Sequence, residues 1–336
     1  MKTTIEDIAR ASGVSKATVS YVLNNKRSSL GLSAQTVARV LNVSKELKYR
    51  PDLVAVALSE QKNVPLSLLI LSPWLHTQFS DFMAQVSHVL EKTTLEMRLK
   101  PTYELYHAGS LRKALRPARC VKFDAVIIIG TSDEDDAFLR KNREKFRNII
   151  LLNREVEGYP CSIGNDYEAS AELARRIAAA KYYGRYVILH AEKISACEQK
   201  RIDGFRDALK KGGETDIRIH ESVASDSFDK LCGSLLEQHF REKTLYFIPQ
   251  YYPAARFLKY LRQKGISVPQ DVGVAAYDSH SLLTDFLSPA LTTVDPRIAD
   301  MTRQALLLAR GIKDGKRVSG KVTEPVFESG ESAVHV

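Results

Sequence analysis

Residues 5–24, IEDIARASGVSKATVSYVLN, interleave polar side chains able to hydrogen-bond with apolar ones at helical spacing. Split as two helices around a turn, the segment faces Ile8, Val14, Val19 and Val22 inward. Ala9 is small where two helices must cross closely, and Gly13 sits where the turn needs a positive φ. Ser15 can cap the second helix by accepting a backbone N–H three residues on. This is helix-turn-helix spacing. The second helix, Lys16 to Asn24, would lie in a DNA major groove with Lys16, Ala17, Ser20 and Tyr21 outward. Base contacts specify and phosphate contacts position. Lys16 and Tyr21 are therefore expected at base edges, and Thr4, Ser15, Ser33 and Thr36 at phosphates. A third helix, Ser33–Lys48, puts Val37, Val40, Leu41 and Leu47 on one face, closing a three-helix core.

No catalytic residues are expected. The chain has no GxSxG elbow, Walker loop, GxGxxG or HExxH, and its histidines are scattered. Cys120, Cys161, Cys197 and Cys232 form no CxxC pair and have no His at ligand spacing. Neither a metal site, a cofactor nor a disulfide framework is expected; small buried thiols in a reducing cytoplasm are.

The net charge is +9, unevenly spread. Residues 1–62 carry 10 Lys/Arg against 5 Asp/Glu, and the remainder 39 against 35. That asymmetry fits a small polyanion-binding module ahead of a near-neutral body. No apolar run reaches the roughly 18 residues of a membrane span, and MKTTIEDIARAS has no apolar signal core. No membrane partner is expected, and the location is expected to be cytoplasmic.

The 336 residues suffice for about two or three domains. From residue 64 onward short apolar runs alternate with amphipathic helices. The runs are 67–71, 125–129, 148–152, 185–189, 244–248 and 272–277; the helical patterns are 79–95, 133–145, 167–180, 197–211, 228–240, 253–264 and 297–312. Strands apolar on both faces are parallel strands covered by helices on both sides. The pattern predicts an α/β body of doubly wound parallel sheets. About ten strands are too many for one small sheet, so two lobes are expected, breaking near 160 and 290, with a ligand cleft between them. Trp74, the sole tryptophan, follows the first strand at the cleft mouth, where it could stack on a ligand or cover core.

The first segment resembles the N-terminal signature of the lactose-repressor (LacI/GalR) family of bacterial transcription regulators. YRPDLVAVALSEQK at 49–62 is similar to that family's hinge, and KRIDGFRDAL (200–209), GISVPQDVGVAAYD (265–278) and LTTVDP (291–296) follow in family order. The resemblance implies a helix-turn-helix head with a hinge helix, followed by a two-lobed periplasmic-binding-protein-like body. The expected division is a DNA-binding domain at 1–50, hinge helix and linker at 51–63, and effector and dimerisation domain at 64–336. Within the last, lobe 1 is expected at about 64–160 plus 291–318 and lobe 2 at about 161–290 plus 319–336. Further implications are a homodimer, a near-palindromic double-stranded operator, and repression switched by a small effector, a sugar or other metabolite.

In the hinge the family's minor-groove wedge falls on Leu58, with Ala55 beside it. Asn24 and Tyr49 complete the DNA-binding set. Arg201 matches an arginine that clamps effector, Asp278 an effector-contacting aspartate at a strand end, and Phe228 an aromatic that packs on the effector ring. The remaining cleft positions depart from the pattern. His76 and Phe79 stand in His-Thr-Gln-Phe for Asn-Pro-Phe-Phe, Asn153-Arg154 stands for Asp-Arg, and Gln250-Tyr251 for Asn-Asp. His76, Phe79, Asn153 and Gln250 are still expected at the effector, with Trp74. These changes leave open control by a partner protein, or by no effector. The chain ends soon after Phe327-Glu-Ser329 with no Leu-rich heptad, so a dimer rather than a tetramer is expected.

Overall fold

The computed structural model describes residues 4–23, 32–47, 64–74, 80–191, 195–222, 232–233, 243–278 and 287–336. The chain divides into two compact units, Met1–Val64 and Pro65–Val336.

In the first unit, α1 (Ile5–Ser12) begins at Thr4 in a capping box. The Asp7 N–H donates to Thr4 Oγ1 at 3.3 Å, and the Thr4 N–H to Asp7 Oδ2 at 2.9 Å. Gly13 ends the helix at φ 65°, a left-handed conformation that carries no Cβ penalty in glycine. Ser15 then caps α2 (Lys16–Leu23), accepting from the Thr18 N–H at 3.1 Å. Ser33 caps α3 (Ala34–Glu46) the same way through Thr36 at 3.2 Å. Ile8, Ala9, Val19, Val22 and Val40 form the buried core, with Val14 and Val37 packed at its edge. Leu41 and Leu47 do not join it. Each is more than a third exposed, because Val40 takes the central position of α3 and its neighbours fall to the flanks.

The second unit holds two parallel sheets. The first runs β11-β5-β4-β3-β1-β2, made of Leu66–Trp74 (β1), Leu99–His107 (β2), Ala125–Ile129 (β3), Ile149–Leu152 (β4), Cys161–Gly164 (β5) and Lys321–Thr323 (β11). One face is covered by α4 (Ser80–Met97) and α11 (Ile298–Lys313). The other is covered by the short helices α5 (Leu111–Ala114) and α6 (Pro117–Cys120) and by α7 (Asp133–Lys141). The second sheet runs β7-β6-β8-β9, made of Arg185–Ala191 (β6), Ile217–Ser222 (β7), Thr244–Ile248 (β8) and Val272–Ala276 (β9). Helices α8 (Asp166–Ala179) and α9 (Ala196–Lys211) cover one face and α10 (Tyr251–Gln263) the other. Helices α8 and α9 approach so closely that a Cβ on Gly204 would lie 2.0 Å from the Tyr167 carbonyl oxygen.

The lobe boundaries differ from the expected ones. Cys161–Gly164 and Lys321–Thr323 pair within the first sheet, not the second lobe. Both are edge-proximal strands of four and three residues, too short to leave a run in the sequence. Between the sheets, β10 (Thr293–Asp295) pairs antiparallel with β12 (Val326–Glu328). The chain crosses after β5, again between β9 and α11, and a third time after β11. The helix expected at 228–240 lies outside the described residues except at 232–233. Among the described residues no helix is long and apolar enough to cross a membrane, and no group of three potential metal ligands occurs.

Candidate nucleic-acid interface and ligand cleft

Helix α2 owes its exposed face to its short apolar pattern, which buries only Val19 and Val22. Lys16, Ala17 and Tyr21 are exposed and Ser20 is half-buried. Lys16 Nζ lies 2.8 Å from Glu6 Oε1, and both side chains are more than half exposed. Such a surface pair contributes little and can open. Three of the four residues expected at phosphates are the helix caps Thr4, Ser15 and Ser33. Each spends an oxygen lone pair on its own helix, and the Thr4 hydroxyl also donates to Asp7 Oδ2 at 2.7 Å. The hydroxyls of Ser33 and Thr36 lie 2.9 Å apart, as do those of Ser15 and Thr18. Each cap also marks a helix N-terminus, where partial positive charge favours an anion. Asn24, Tyr49, Ala55 and Leu58 lie outside the described residues.

In the body, the strands' C-terminal ends bring four of the expected cleft residues into one region. Arg201 projects from α9 and is almost fully buried. Its Nη1 donates to Asp278 Oδ2 at 2.9 Å and to the Pro249 carbonyl at 3.0 Å, beside Gln250 at the end of β8. Its guanidinium lies 4.0 Å from the centre of the Tyr277 ring. Its Nε has no hydrogen-bond partner, with the Asp166 carboxylate 3.5 Å away. Asp278 follows β9 at φ 69°, a conformation uncommon for a residue with a side chain, and is held there by Thr293 Oγ1 donating to its carbonyl at 3.2 Å.

Asn153, at the end of β4, also has a positive φ of 59°. Its carbonyl accepts from the Cys197 thiol at 3.4 Å, across from the first sheet to α9. Burial, reinforced by Asp166, pushes that thiol up to about 12, so it is a neutral donor and not a nucleophile. Lys200 on the same helix reaches Glu155 at 3.3 Å. The two lobes therefore meet through α9. Arg154 turns away from this region. Its Nε donates to Asp136 at 2.8 Å and its Nη2 to Asp133 at 2.8 Å. Of Trp74 the backbone alone is described, and His76, Phe79 and Phe228 lie outside the described residues.

The charge around Arg201 is over-compensated. Asp166 and Asp278 face it, and buried Glu198 sits one turn back on α9, accepting from the Ser195 N–H at 2.8 Å. Burial pushes the Asp278 carboxyl up against the pull of Arg201, with Asp166 and Glu198 adding to the rise. Asp166, Tyr277 and Cys197 were not legible as site residues. Asp166 follows the unread strand β5, and Tyr277 looked like the last apolar residue of β9.

The profile of bacterial regulatory proteins of the lacI family matches residues 4–52, and that of the periplasmic binding protein-like domain matches 175–332. The sucrose operon repressor of Escherichia coli is 27% identical over 325 residues, covering 94% of this chain and 96% of its own. The HTH-type transcriptional regulator DegA of Bacillus subtilis is 26% identical, covering 94% and 93%. Among solved structures, the lac repressor dimer bound to operator and the anti-inducer ONPF covers 99% of both chains with a TM-score of 0.76 at 18% identity. The CelR–cellobiose complex covers 99% and 100% with a TM-score of 0.67 at 19% identity.

Proposed function

Since the chain belongs to the lacI family of bacterial regulatory proteins, we propose that it is a dimeric repressor that reads a near-palindromic operator and is released or engaged by a small neutral effector in the cleft. The observation that carries the DNA reading is the exposed row Lys16, Ala17 and Tyr21 on a helix whose start is fixed by the Ser15 cap. A major-groove helix reads bases through such a row. Selection of duplexes from a random library with the full chain tests it. Lys16→Ala should relax preference at one or two positions at a cost of about 1–3 kcal/mol, the worth of a bidentate contact to guanine. An unchanged rank order across single-base variants would refute this register.

Dimerisation is supported by the exposed Tyr103 and Leu105 on the edge strand β2, an apolar strip suited to a second copy. Sedimentation velocity should give a dimer that Leu105→Lys converts to monomer; a monomeric parent protein would end this reading.

The effector reading rests on the box around Arg201. One buried guanidinium faces two carboxylates, so the region has no positive charge to spare for a phosphate or carboxylate. Hydroxyl groups, which both donate and accept, suit it better. In thermal-shift assays neutral sugars should stabilise the protein, while sugar phosphates and uronates should not. Arg201→Ala should weaken the stabilising ligand by about tenfold to a hundredfold, the loss of one charge-assisted hydrogen bond. DNA binding without ligand should persist. Full ligand affinity in that variant would move the site elsewhere and favour control by a partner protein.

A further inference from the structure

All pairings in the first sheet are parallel, so the strands' N-terminal ends lie along one end of that lobe. The chain joins the body at this end, through Val64 and Pro65 into β1. The turns there are basic. Exposed Arg98 precedes β2, Lys122 precedes β3, Arg147 precedes β4, and Lys316 and Arg317 lie between α11 and β11. Among the described residues Arg98, Lys122 and Arg317 have no ion-pair partner. The acids nearby are outnumbered: Asp124 is matched by Lys313 at 3.0 Å, Glu144 by Arg147 at 3.3 Å and Asp314 by Lys316 at 3.6 Å. The opposite end of the same sheet has no such excess: exposed Asp133 and Glu134 after β3 and Glu155 after β4 are offset by exposed Arg112 and Lys113 after β2. Residues 63–336 carry 39 Lys/Arg against 35 Asp/Glu, so an even spread would leave no such difference.

We propose that the basic end of the first lobe contacts the phosphate backbone outside the sequence that the head reads. This rests on the DNA-binding reading. Such contacts add affinity without base information. DNA is favoured over an acidic protein because the head is joined to the body at this end, and duplex beyond the operator supplies about one charge per 1.7 Å.

The test compares the full chain with the triple variant Arg98→Gln, Lys122→Gln, Arg317→Gln, all three side chains being exposed. The probes are a 20-bp duplex selected by the full chain and the same duplex extended by about 12 bp of mixed sequence on each side. Each phosphate contact contributes about 0.9 to the slope of log Kd against log salt. The unaltered protein should show a slope steeper by about 2–3 on the long duplex, and the variant should lose that increment while matching it on the short one. Equal slopes on both duplexes for the unaltered protein, or an increment retained by the variant, would overturn the proposal. Equal slopes with charge-dependent retention on polyglutamate would replace it with an acidic protein partner. If selection enriches no duplex, the DNA reading itself falls.

Discussion

Replacing Asp136 by alanine should destabilise the body by about 3–5 kcal/mol, the cost of leaving one member of a buried ion pair uncompensated. Arg154 and Asp136 are each 6% exposed, and the guanidinium meets this carboxylate through Nε at 2.8 Å and through Nη2. Thr131 donates to the other oxygen of Asp136. The remaining partner, Asp133, is 98% exposed, so its attraction is screened by water. Urea titration of the body transition gives the number. Asp136→Ala combined with Arg154→Met should recover most of the loss, since an apolar replacement of both partners is often neutral or better. A single substitution that costs less than about 1 kcal/mol would mean the pair contributes no more than a surface contact.

Ile8→Ala should abolish DNA binding while sparing the body. The head core consists of five buried side chains, and Ile8 is fully enclosed in it. Truncating such a residue costs about 2–5 kcal/mol. A unit of about 60 residues buries a smaller share of its surface than a large domain and has little stability in reserve. The core contains no residue of the second unit, so calorimetry should show the body transition unmoved and the head transition lowered or missing. Affinity for a selected duplex should fall more than about a hundredfold, as the folded head becomes a minor population. Ile8→Val, costing about 0.5–1.5 kcal/mol, should retain binding. Tight binding by Ile8→Ala would show that α1 does not hold α2 in place.

The sequence showed the central strands and missed the edges, for a physical reason. β3, β4 and β8 are buried on both faces and read as unbroken apolar runs. β2 alternates, is exposed at Tyr103 and Leu105, and contains Pro101, a residue that demotes a strand in any sequence reading. β7 has the same half-exposed character at Ile219. In the head, the Ser15 cap and the Gly13 turn were legible because each is a local device acting within three or four residues, whereas Thr4 and Ser33 were expected only at phosphates and also cap their helices. The Arg201 box was legible only in part. Arg201 and Asp278 stood out by family likeness, while Asp166 reaches them from 35 residues upstream of Arg201 through a fold-level contact that no local pattern encodes.

The second crossing, between β9 and α11, has a consequence for synthesis on the ribosome. β1–β5 are complete once residue 164 has been made, but α11, which covers one face of that sheet, ends at Lys313. At about 5–20 residues per second the sheet waits roughly 7–30 s for its cover. Through that interval Leu66, Leu68, Ile70, Ile127 and Ile150 lack part of their native burial, while the edge strand β11 that closes beside β5 comes later still. The head has no such delay, since its core ends at residue 43. Nascent chains stalled near residue 290 should therefore carry a protease-resistant head and a first lobe that is cleaved readily and held by chaperones.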